Sequence, residues 1–213
     1  MRAIPPGPVA DPLPAGGFYP VGLNLAGRAC VVIGAAGDRE AAAKATALRE
    51  AGAEVRWITD PTALRDDDVR DAFFVISTPQ DDALSARLRA LADVHRFLLC
   101  TIDQPRYGFV AMQAIVRSGP VRIAISTGGV APRVGKILKA ALQGVLDAKF
   151  ARFVECLGTQ KLRNRAALPD RRDRRNAIVA ATDGFALDAR ATYPAWYEDQ
   201  LRAGAPQIAE PRG

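Results

Sequence analysis

The sequence predicts an α/β fold, with a parallel sheet flanked by helices and followed by a smaller region where the pattern changes. Three observations predict it. Strand-length apolar runs alternate with helix-length segments over residues 29–101, the order that builds right-handed βαβ units. The first run, Ala29-Cys-Val-Val-Ile-Gly34, is apolar at successive positions, as a strand covered on both faces must be. It ends in a turn of small residues, Gly34-Ala35-Ala36-Gly37, that leads straight into a helix, the opening of a Rossmann-like sheet.

The elements follow in order. Asp38 stands where it can cap the first helix, whose inward positions are Ala41, Ala45 and Leu48 and whose end is marked by Gly52. Glu54 to Ile58 reads as the second strand, closed by Asp60-Pro61, and Ala72 to Ser77 as the third, ending at Thr78-Pro79. Asp81 caps a helix with a face of Leu84, Leu88 and Leu91, and Arg96 to Thr101 is the fourth strand. The one histidine, His95, falls at that helix's end; a single histidine argues against a Ser-His-Asp triad or a His-rich metal site. Phe109 to Val116 and Val121 to Ser126 read as extended segments joined through Ser118-Gly119-Pro120. The clearest helical period comes next, at Val134, Ile137, Leu138, Ala141, Leu142, Val145 and Leu146, continued by Phe150, Phe153, Val154 and Leu157. A last helix is expected over Arg174 to Arg190. The chain thus divides into a flexible, proline-rich leader at 1–17, a Rossmann-like domain at 18–113, a region at 114–150, and a C-terminal helical region at 151–213.

Composition narrows the function classes. Hydrophobic residues at 49% and charged residues at 24% of 213 describe a folded globular chain. No apolar run approaches the roughly 18 residues of a membrane-spanning helix, and the leader has no apolar core of a signal peptide. Cys30, Cys100 and Cys156 are isolated and lack metal-ligand spacing, and Cys30 and Cys100 read as small buried hydrophobes. A reducing, cytoplasmic setting and no metal site are expected. The formal charge is +6, with basic residues densest at Lys161, Arg163, Arg165, Arg171, Arg172, Arg174 and Arg175. That charge serves either solubility alone or a polyanionic partner. No aromatic residues interleave the cluster, so nucleic acid is not an expected partner, and neither is a membrane.

Several groups of residues could carry chemistry. The Gly34–Gly37 turn has the strand–turn–helix setting in which a backbone approaches a pyrophosphate at a helix N-terminus, although Ala36 stands where the second glycine of Gly-x-Gly belongs. It is either a dinucleotide site or a structural βα turn, and Asp38 suits a phosphate only if it points away to cap the helix. Asp60 is placed either to bind ribose hydroxyls, favouring NAD over NADP, or to shape an Asp-Pro turn. Asp103 lies just past the carboxyl end of a strand, where open α/β sheets form their ligand crevice. It could take a proton there, though position alone favours a turn-capping role. Ser126-Thr127-Gly128-Gly129 with Pro132 is either an anion-binding nest at a helix start or a plain turn.

Taken together, the glycine-containing turn, Ser77-Thr78-Pro79-Gln80-Asp81-Asp82, Asp103-Gln104-Pro105 and Ser126-Thr127-Gly128-Gly129 with Pro132 resemble the N-terminal module of siroheme synthase. The same module occurs alone as precorrin-2 dehydrogenase/sirohydrochlorin ferrochelatase. The likeness runs from about Phe18 to Phe153. It implies an NAD-dependent oxidation of precorrin-2 to sirohydrochlorin and, in many relatives, a lyase step that inserts ferrous iron. It implies that Asp103 is the catalytic carboxylate and that a tetrapyrrole rests at Ser126, Thr127, Gly128, Gly129 and Pro132. NAD would lie along Gly34, Ala36, Gly37, Asp38, Arg39, Asp60, Pro61, Ser77 and Thr78. It also implies a homodimer, with 114–150 as the dimerisation region. Two departures stand out: the turn lacks the run of glycines, and Asp103-Gln-Pro-Arg106-Tyr107 is bulky. These suit two rival readings, a tetrapyrrole carrier without NAD or a dehydrogenase for another anionic substrate.

Overall fold

A computed structural model describes residues 19–203, so the leader expected at 1–17 lies outside the described residues. Four parallel strands, β1 (Ala29–Ile33), β2 (Glu54–Ile58), β3 (Phe74–Ser77) and β4 (Leu98–Thr101), form one sheet in the order β2-β1-β3-β4. Helix α1 (Arg39–Glu50) joins β1 to β2, and α2 (Asp82–His95) joins β3 to β4. Between β2 and β3 the chain makes only two 3-10 turns, Pro61–Ala63 and Asp66–Asp68.

The apolar runs of β1 and β3 are explained by cover on both faces. Cys30, Val32, Phe74 and Ile76 pack with Ala41, Ala45 and Leu48 of α1. Val31, Ile33, Val75 and Leu99 pack on the other side with Leu88 and Ala92 of α2, Phe97, and Leu64 and Val69 from the turn segment. Each fully buried Val, Ile or Leu here contributes about 1.5–3 kcal/mol. The thiols belong to this core: burial pushes Cys100 up to about 11 and also raises Cys30, which suits inert packing groups.

After the sheet, β5 (Ala114–Ser118) and β6 (Val121–Ile125) form an antiparallel hairpin, and α3 (Pro132–Val145) packs on it. The Gln143 side chain of α3 completes the free edge of β5. Its Oε1 accepts from Arg117 N at 3.1 Å, and its Nε2 donates to Arg117 O at 2.8 Å. Arg117 also meets Glu50 at the end of α1, at 3.0 Å. Among the described residues, those up to Val154 form one compact unit; a second takes those from Glu155 and holds most of α4 (Ala148–Ala167), α5 (Arg171–Ala181) and α6 (Ala195–Arg202).

Several boundaries differ from expectation. β3 starts at Phe74 rather than Ala72, and β4 at Leu98, because Arg96 closes α2 in a left-handed conformation with φ of 66°. The buried stripe of α2 is Ser85, Leu88 and Ala92, rotated from the leucine face expected, with Leu84 and Leu91 at its half-buried margins. The first hairpin strand starts at Ala114 rather than Phe109, since the amides of Phe109 and Val110 both go to Leu99 O instead of a ladder. The long helix breaks at Leu146-Asp147, where the Asp147 carboxylate accepts from Phe150 N at 2.9 Å and starts α4. The helix expected over Arg174–Arg190 is also corrected. Capped by Asp170, it begins at Arg171, three residues earlier, and stops at Ala181, ahead of Gly184 with φ of 76°. A further helix, α6, follows Pro194.

Candidate functional site

The sheet order sets the location. From β1 the chain moves outward to β2, then returns across β1 to β3 and on to β4. The winding reverses between β1 and β3, and ligands of open α/β sheets bind outside the carboxyl ends of the strands at such a point. Gly34, Asp60, Thr78 and Asp103 follow the four strand ends.

At the reversal the backbone is closely packed. A Cβ on Gly34 would stand 2.3 Å from Thr78 Oγ1 and 2.7 Å from the Ala41 Cβ, so only glycine fits. Its carbonyl accepts from Trp57 Nε1 at 2.8 Å. Thr78 crosses from β3 to bind Ile33 O at 3.2 Å and the Asp38 carboxylate. Asp38 therefore points inward. It caps α1 by accepting from Glu40 N and Ala41 N at 2.8 and 3.2 Å, and the Thr78 hydroxyl, followed by these amides, holds its pKa below the usual carboxylate range. The opposite side of the turn is open. Ala35, Ala36, Gly37 and Arg39 are exposed, and a Cβ on Gly37 would meet nothing within 4 Å. Among the described residues, the amides of Ala36, Gly37 and Arg39 have no protein acceptor. Free amides beside an open glycine at a helix start fit a nucleotide diphosphate. Ser77 ends β3 fully buried, and among the described residues its Oγ has no hydrogen-bond partner.

Asp60, exposed beyond β2, accepts from Thr62 N at 3.0 Å and Thr62 Oγ1 at 2.6 Å, and Pro61 follows it in a 3-10 turn. These bonds, the hydroxyl first, lower its pKa and keep it anionic. Asp103 follows β4 with φ of 58°, an uncommon conformation for a residue other than glycine. Gln80 Nε2 donates to its Oδ2 at 3.1 Å, and its Oδ1 accepts no hydrogen bond from the described residues. The sequence showed Gln80 only as part of the Ser77–Asp82 motif; its bond to Asp103 could not be read there, because only the fold brings residues 80 and 103 together.

Ser126 to Pro132 forms a tight turn. Gly128 and Gly129 have φ of 60° and 80°, Gly128 N donates to Ser126 Oγ at 3.2 Å, and Val130 N to Thr127 O at 3.1 Å. Pro132 begins α3, whose N-terminus has no side-chain cap and carries Arg133 and Lys136. This suits an anion. The structure links the turns after β1 and β3 through Asp38 and Thr78; among the described residues no hydrogen bond or ion pair links the Ser126 turn to Asp103. No group of acidic, cysteine or histidine residues among them is arranged to hold a metal. No described helix is long and apolar enough to cross a membrane.

The sheet order, the glycine turn and the open helix start define a dinucleotide-binding fold, and residues 21–114 match a family model described as "Putative NAD(P)-binding". Siroheme synthase of Thioalkalivibrio sulfidiphilus (strain HL-EbGR7) is 28% identical over 177 residues, 74% of this chain and 36% of that protein. Siroheme synthase of Neisseria meningitidis serogroup C (strain 053442) is 27% identical over 178 residues, with the same coverage. Siroheme synthase 1 of Serratia proteamaculans (strain 568) is 29% identical over 160 residues, 66% of this chain and 33% of that protein. The chain thus spans about a third of the length of these relatives. The solved structure of "SirC, precorrin-2 dehydrogenase" shares the fold, with a TM-score of 0.62, 17% identity, and coverage of 78% of this chain and 90% of that one. The chain is thus similar to these siroheme synthases over 66–74% of its own length, and the part that matches the NAD(P)-binding model is the sheet domain.

Proposed function

We propose that this chain is an NAD-dependent dehydrogenase of siroheme biosynthesis that oxidises precorrin-2 to sirohydrochlorin. The observation that carries the reading is Asp103, a carboxylate beyond the carboxyl end of β4 with one oxygen bonded to Gln80 and the other free. Gly34, Ala36, Gly37 and Arg39 would hold the diphosphate, Asp60-Pro61 the ribose, and Ser77-Thr78 would flank the cofactor. A ribose-binding carboxylate disfavours a 2′-phosphate, which supports NAD over NADP. Bound NAD supplies the hydride acceptor. The substrate loses a hydride and a proton, and the free oxygen of Asp103 takes the proton. Ser126, Thr127, Gly128, Gly129 and Pro132, with Arg133 and Lys136 beside them, receive substrate carboxylates. The half-exposed apolar face of α3 serves a homodimer in this reading.

Asp103→Asn keeps the size and turn preference of the side chain and removes its basicity. Turnover of precorrin-2 with NAD should fall by about 10²-fold or more, with the fold intact; near-normal turnover would remove Asp103 from the mechanism. The same pair assayed with sirohydrochlorin and ferrous iron tests whether Asp103 also takes the pyrrole protons during iron insertion. One observation favours the carrier reading: the Asp38 carboxylate already occupies two amides of the helix N-terminus. Calorimetry showing tetrapyrrole binding without NAD binding would establish that alternative.

A further inference from the structure

We propose that Gln104 is a positioning residue that holds Asp103 over the carboxyl end of the sheet; the proposal rests on the dehydrogenase reading above. Asp103 sits on an exposed turn in a left-handed conformation, uncommon for a residue other than glycine, which contacts from neighbouring residues can hold in place. Gln104 supplies such contacts from both its side chain and its backbone. Its Oε1 accepts from Ser85 Oγ at 2.6 Å, and Ser85 is fully buried in α2. Its Nε2 donates to Asp82 Oδ1 in the first turn of α2 at 2.6 Å. Its carbonyl accepts from Thr101 Oγ1, at the buried end of β4, at 2.6 Å. Arg106 binds the same Asp82 oxygen at 2.6 Å, so a second residue of the turn is tied to the same anchor. Asp103 thus lies between a buried strand end and a side chain fastened to a helix, while Gln80 orients its carboxylate.

Losing the carboxamide would leave the Ser85 hydroxyl buried without a partner, so Gln104→Leu alone mixes a stability cost with any loss of positioning. The double variant Ser85→Ala/Gln104→Leu removes both polar groups and separates the two. The experiment compares thermal melting, kcat and KM of the whole chain and these variants, with precorrin-2 and NAD. Gln104→Leu should lower kcat about 10- to 100-fold, the scale of a misplaced reacting group, with KM for NAD within about twofold, since the cofactor turn lies at β1. The double variant should recover melting temperature and leave kcat low. Recovery of kcat together with melting temperature, or an unchanged kcat in Gln104→Leu, overturns the positioning role. Absence of turnover in the unaltered chain overturns the dehydrogenase reading, and this proposal with it.

Discussion

Asp38 shows how far a single residue can be read in advance. Its capping role was legible, because an aspartate just before an Ala-rich periodic segment has few better uses than the first free amides. Its bond to Thr78 was not legible, because those residues are 40 apart in sequence and meet only when β3 lies beside β1. The bond has a pH signature. The folded pKa of Asp38 lies below its unfolded value, so its stabilisation is present above the unfolded carboxyl range near pH ~3.9 and is lost as pH falls through the lower folded value. Asp38→Ala should cost about 1–2 kcal/mol at pH 7, measured by urea unfolding, with the difference from the unaltered chain shrinking below pH ~3.9. An equal difference at both pH values would assign the effect to something other than the carboxylate. Asp103 is the complementary case. Its place past the strand was legible, but the Gln104 tether was not, because the sequence does not say which way a glutamine points.

At the scale of elements, the β1–α1 turn separates two glycines that look alike in sequence. Gly34 is enclosed by Thr78 and Ala41, whereas Gly37 faces open space. Gly34→Val should therefore unfold or strongly destabilise the domain. Gly37→Val should keep the melting temperature within a few degrees and abolish NAD binding, if the diphosphate lies against the turn. Calorimetry beside thermal melting separates the two; NAD binding retained by Gly37→Val would move the cofactor elsewhere. Helix α3 was equally legible in period but not in partner. Val134, Ile137, Leu138 and Val145 are 44–57% exposed, because the hairpin covers only part of the apolar stripe. If a second copy covers the rest, Ile137→Asp should convert a dimer into a monomer by light scattering at micromolar concentration. A monomeric unaltered chain would refute the homodimer.

At the scale of the whole molecule, the parallel sheet was legible because each alternation of apolar strand and amphipathic helix admits one handed crossover. The C-terminal helices were read less well. Gly184 was overlooked as a stop, and the aromatic segment of α6 has no strong period to announce it. The chain has two tryptophans, and the fold gives one to each compact unit. Trp57 donates its indole N–H to the carbonyl of Gly34, at the root of the candidate cofactor turn, whereas Trp196 lies on α6, 48% exposed and edge-on to Tyr197. The molecule therefore carries its own optical gauge. The emission of Trp57 reports the turn from inside the sheet, that of Trp196 reports the helical unit, and a Trp196→Phe background leaves one colour channel that reads the β1–α1 turn alone.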